Sequence, residues 1–116
     1  MPLREQMKAD LTQAMKARQS ATVATLRSVL AAIDNAEAIP VSESAFPVEP
    51  VPGQRHEAPR KILSVEDIHQ IVQKEIDERC RAGAKYATLG LQAEAERLQK
   101  AATLLAGYLH GEQTRI

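Results

Sequence analysis

The sequence predicts an all-α fold: a small four-helix bundle with one long Pro-rich loop between helices 2 and 3. Three observations point there. Apolar residues recur at steps of three and four in four separate segments, most clearly at Leu91, Ala95, Leu98, Ala102, Leu105 and Leu109, which places them on one side of a helix. Every proline except Pro2 falls within a single stretch, at positions 40, 47, 50, 52 and 59. The residues that follow open with Ser64 and Asp67, three apart, the signature of a helix start. At 116 residues the chain is read as one domain, 1–116, with a single core and modest stability.

The first helix is expected over 3–17. Leu3, Met7, Leu11 and either Ala14 or Met15 face inward, with Arg4, Lys8, Gln13 and Lys16 turned out. Ser20 is the expected N-cap of the second helix, since its hydroxyl can accept a bond from an orphaned backbone N–H. That helix runs over 21–38 on a stripe of Val23, Leu26, Leu30 and Ile33. It stops near Pro40, whose ring disfavours helical geometry at Ile39.

From Pro40 to Pro59 the apolar residues Val41, Phe46, Val48 and Val51 have no helical period, and the loop is drawn over 40–63. Two readings stand for it: a polyproline-like connection across the bundle, or an arm that docks on a partner with Phe46 as its anchor. Arg55, Arg60 and Lys61 at its exit, beside Glu57, read as solvated cations or as phosphate contacts.

The third helix is placed over 65–89, its stripe being Val65, Ile68, Val72, Ile76 and then Arg79 or Cys80, with Ile71 widening the buried face. Gly83 is a competing stop. Gly90 is the better one, because glycine tolerates the left-handed backbone of a helix terminus. The fourth helix covers 91–108, and Gly111 to Ile116 form a tail.

Composition narrows the function classes. Fifteen basic and 15 acidic side chains balance to zero, which removes the long-range positive field of a free-standing nucleic-acid binder and confines any such contact to local patches. Phe46, Tyr86 and Tyr108 are the only aromatic residues, too few for a base-stacking platform. The core must then be filled with aliphatic residues and alanine, which allow close helix approach. The lone Cys80 forms no internal disulfide and has no neighbouring cysteine for zinc, pointing to a reducing, cytoplasmic setting. No segment approaches the roughly 20 apolar residues that cross a bilayer, and the amphipathic start, with Arg4, Glu5 and Lys8, reads as part of the fold.

No catalytic residue, cofactor site or metal site is expected. His56, His69 and His110 lack metal-ligand spacing, and His69 with Cys80 is too remote for a dyad. Glu75, Glu78, Glu94 and Glu96 stand among Lys74, Arg79, Arg97 and Lys100 at helix-surface spacings, so solvated ion pairs account for them. No glycine-rich loop with a following Lys-Ser or Lys-Thr exists to cradle a nucleotide. Arg27, beside Leu26 at the edge of the buried stripe, is expected to pair with Glu75 or Glu94, phosphate recognition being its other reading.

The run Leu11-Thr12-Gln13-Ala14-Met15-Lys16, then Leu26-Arg27-Ser28-Val29-Leu30-Ala31-Ala32-Ile33, and finally Tyr108-Leu109 after a glutamate-bearing helix, resembles the N-terminal helical part of the YqeY proteins of the GatB/YqeY family. The likeness covers most of the chain outside the Pro-rich loop. It implies kinship with the tail of the GatB component of glutamyl/aspartyl-tRNA amidotransferase, whose helical domains help hold tRNA. The family label is carbon–nitrogen ligase activity with glutamine as amido donor. Where the family continues through Tyr-Leu-Pro into a second helical domain, this chain has His110, and its Pro-rich insertion is long. The expected role is a non-catalytic accessory module contacting tRNA or an amidotransferase subunit through Lys8, Lys16, Arg27, Lys74, Arg81 and Lys85. The alternative is a protein-interaction or homo-oligomerisation module.

Overall fold

Amphipathic stripes of this kind are stable only when several seal one another from water, and four helices do so here. The computed structural model describes residues 2–38 and 62–114, with side chains through residue 111. In order they form α1 (Leu3–Lys16), α2 (Ser20–Glu37), α3 (Val65–Thr88) and α4 (Gln92–Thr114), and no β-strand occurs among the described residues. Helices α1 and α2 make one hairpin and α3 and α4 another, the second with the most extensive packing, while α2 rests on both α3 and α4. The expected loop, with Phe46, His56 and the basic residues at its exit, lies outside the described residues apart from Ile62 and Leu63.

All four helices supply the core. Met7, Leu26, Val29, Ile33, Val72 and Leu105 are fully buried, joined by Leu3, Leu30, Ile76 and Ala102. Leu11, Leu63, Ile68, Ile71, Tyr108 and Leu109 pack against this cluster from its margins. On α1 the inward position is Ala14, not Met15, which is half exposed. Val29, outside the expected α2 stripe, is central because α2 packs on three helices and so buries a wider arc than a single seam.

The helix ends follow from local chemistry. Ser64 and Asp67 form a reciprocal capping box: the Asp67 N–H donates to the Ser64 hydroxyl and the Ser64 N–H to the Asp67 carboxylate, each at 3.0 Å. Helix α3 stops at a Schellman turn in which Gly90 (φ 80°) donates to the Ala87 carbonyl at 3.1 Å and Leu91 to that of Tyr86 at 2.9 Å. Helix α1 ends in the same motif, Arg18 donating to Met15 at 3.2 Å and Gln19 to Ala14 at 2.9 Å. There, however, the left-handed position is held by Arg18 (φ 57°) instead of glycine.

Four expectations are corrected. Ser20 is the first helical residue of α2, whose N-cap is Gln19 without a side-chain bond, so the tight α1–α2 turn and not a hydroxyl cap sets this start. Val65 and Leu91 are exposed: each lies at a helix entrance, beyond the reach of the facing helices. Helix α4 continues to Thr114, past the tail drawn from Gly111, because glycine permits a helix and costs it only about 1 kcal/mol. The expectation that α3 runs through Gly83 holds. This glycine is buried against α4, where a β-carbon would lie 3.5 Å from both the Ala95 carbonyl oxygen and the Leu98 Cβ.

Candidate functional site

Two polar ties fasten α1 to its neighbours. The Arg4 guanidinium, expected on the outer face, instead reaches α2, donating to Asp34 at 2.7 Å and to Glu37. The bond to Glu37 is the main reason its pKa is driven above the ordinary arginine value, burial working the other way and Asp34 adding to the rise. The Tyr108 hydroxyl of α4 donates to the Asp10 carboxylate of α1 at 2.5 Å. Burial of the phenol, reinforced by Asp10, pushes its pKa well above the ordinary tyrosine value. Both are fold-holding contacts, Arg4 joining α1 to α2 and Tyr108 closing the bundle.

Arg27 does not make the expected pair. It is exposed, and its Nη2 lies 3.9 Å from the Met15 sulfur. Glu75 is held by Arg79, one turn along α3, at 2.9 Å, and Glu94 by Arg97. Arg79 also donates to the Ser28 hydroxyl at 3.2 Å, so it makes the link between α3 and α2 that is expected of Arg27. The reason is angular. Each residue turns the helix by about 100°, so Arg27, next to buried Leu26, points away from the α2 seam.

The other expected contact residues, Lys8, Lys16, Lys74, Arg81 and Lys85, are all exposed. Lys8 stands 4.0 Å from Glu5. Lys74, Arg81 and Lys85 lie in one row along α3 opposite its buried stripe, with rises of about 10 Å and 6 Å between successive members. None of the three makes an ion pair among the described residues. Lys8 and Lys16 sit on α1 and Arg27 on α2, so the six form no single cluster.

Sequence reasoning passed over a different grouping. Between α2 and α4 runs an open groove of about 390 Å³. Its apolar lining includes Ala21, Ala24, Leu98, Ala101 and Leu104, and Arg79, Arg97 and Lys100 stand at its sides. Thr25 at its floor is buried, its hydroxyl donating back to the Ala21 carbonyl at 3.0 Å. A second hollow, on the other side of α2, is lined by Met15, Arg18, Ser20, Val23 and Arg27 and meets the first at Ala24. Helical spacing hinted at the alanines, but which helix faces them is a tertiary fact.

Among the described residues no group of three or more His, Cys, Asp and Glu side chains is placed to hold a metal ion. His69 and Cys80 are separated by about 16 Å along α3. Among the described residues no helix is long and apolar enough to cross a membrane. No family model matches the chain, and neither does any curated protein or solved structure.

Proposed function

We propose that this protein is a non-catalytic helical module of the GatB/YqeY kind that contacts tRNA, in the cytoplasm, as an accessory to tRNA-dependent amidation with glutamine as amido donor. The observation that carries the reading is the row of Lys74, Arg81 and Lys85 on the exposed face of α3, without ion-pair partners among the described residues. Long cationic side chains at these rises can reach successive phosphates of a structured RNA without a base-stacking surface. The balanced net charge makes such binding local, weak and strongly dependent on salt. The sequence likeness of 11–16 and 26–33 to YqeY proteins supplies the choice of tRNA and of an amidotransferase subunit as partners.

The test is a gel-shift titration with total tRNA at low salt, repeated as salt is raised. Replacing Lys74, Arg81 and Lys85 together by alanine should lower the slope of log affinity against log salt by about two to three, since each neutralised phosphate contributes about 0.7 to 0.9. Absence of any complex at low salt refutes the reading.

A second reading, an interaction module without nucleic-acid binding, is favoured by the α2–α4 groove, because alanine and leucine make up much of its lining between the cations, surface that phosphates would not use.

A further inference from the structure

We infer that the groove between α2 and α4 is a docking site for an acidic amphipathic helix of a partner protein. The inference goes beyond the tRNA reading and uses a different surface: Arg79, at the groove side, and the Lys74, Arg81 and Lys85 row lie on roughly opposite sides of α3 by helical rotation. The lining decides the class of occupant. Ala21, Ala24 and Ala101 are small enough for another helix to approach closely, while Leu98 and Leu104 offer apolar surface that an aliphatic side chain would cover. Among the described residues no aromatic side chain lines either hollow to stack a base on, and phosphates would gain nothing from the leucines.

Charge then decides the sign of the partner. Among the described residues no acidic side chain lines the groove or the adjoining hollow, whereas five cations do. Arg79 and Arg97 are matched by Glu75 and Glu94. Lys100, Arg18 and Arg27 have no carboxylate partner among the described residues, and the first turn of α2 carries no acidic residue either. A helix seated at Ala24 would therefore meet an uncompensated positive charge on each flank, which selects glutamate or aspartate beside its apolar stripe. The left-handed Arg18 fits this picture: glycine is the easier residue at that position, and arginine there puts a charge at the rim.

The probe is a fluorescein-labelled peptide of about five helical turns, leucine at the i, i+3, i+4 and i+7 positions and glutamate and glutamine elsewhere, followed by anisotropy at near-physiological salt. One control peptide carries lysine for glutamate and another has the leucines scrambled. Binding of the Glu-Leu peptide is expected, with both controls weaker by about tenfold or more. The exposed pair Arg97→Glu and Lys100→Glu should weaken it by a similar factor while lowering the melting temperature by no more than about 5 °C, the cost of the lost Glu94 pair and of like charges along α4, and the bound peptide should shift the methyl resonances of Ala24 and Ala101. The Lys74→Ala, Arg81→Ala, Lys85→Ala protein should keep the peptide while losing tRNA, which separates this site from the proposed tRNA face. Failure of the Glu-Leu peptide to bind, binding unaffected by the charge reversals, or methyl shifts confined to other surfaces overturns the proposal. So does displacement of the peptide by tRNA from Ala24 and Ala101, or self-association of the protein that Lys100→Glu abolishes.

Discussion

Gly83 offers a sharp test of how closely α3 and α4 approach. The residue is buried in mid-helix, and an added β-carbon would stand 3.5 Å from the Ala95 carbonyl oxygen and the Leu98 Cβ and 4.0 Å from the Gln99 nitrogen. Those are ordinary contact distances, so Gly83→Ala should fit without displacing α4. Relieving the conformational freedom of a helical glycine is worth about 0.5 to 1 kcal/mol, and the alanine variant should be more stable by that amount. For a domain of this size this raises the melting temperature by roughly 3 to 6 °C. Gly83→Leu gains a similar helix preference but must place three further carbons where α4 backbone already stands. Overpacking of that kind costs about 1 to 3 kcal/mol, and the net effect should be destabilising. Urea denaturation followed by helical circular dichroism measures both, with equal m values as the control for two-state behaviour. A leucine variant as stable as the parent refutes the close approach, and an alanine variant losing more than about 1 kcal/mol refutes the ordinary contact distances by placing α4 nearer still.

Three further outcomes follow from the contacts. Arg18→Gly should stabilise the protein by about 0.5 to 1 kcal/mol, because the Schellman bonds remain and the left-handed backbone becomes unstrained; a lower urea midpoint contradicts this. Arg4→Ala should cost about 1 to 2 kcal/mol, mainly by leaving the largely covered Glu37 carboxylate without this cation, and a change within error would show the tie to be idle. The pKa of Tyr108 is raised in the folded state, so the folded protein holds the phenol proton more tightly than the unfolded chain does. This contribution is complete below about pH 10, the unfolded value, and is lost as pH rises above it. Tyr108→Phe should remove that alkaline dependence from the urea midpoint, and its persistence in the variant would assign it elsewhere.

Local chemistry made much of the architecture legible. A stripe at Leu98, Ala102 and Leu105 needs only helical periodicity to be read, and all three face inward, Leu98 less fully than the others. The Ser64–Asp67 box and the left-handed Gly90 depend on atoms within a few residues, so the start and end of α3 were written in its own sequence. Gly111 misleads for the converse reason: a glycine permits a helix end but does not impose one, and α4 continues past it.

Whatever depends on how one helix is turned toward another was decided by the tertiary structure. Periodicity marks a stripe but not its width, so Val29 became central only where α2 met its neighbours. The exchange of roles between Arg27 and Arg79 has the same origin: both flank apolar stripes, and only the seating of α2 on α3 determines which guanidinium reaches across. The groove belongs wholly to this level. Ala21, Ala24, Ala101 and Lys100 are unremarkable along their own helices, and they become a surface because α2 and α4 pack far enough apart to leave one open between them. Helical periodicity is written within a few turns of chain, whereas a groove is a relation between segments distant in sequence, which is why composition and spacing yielded the bundle and not the site.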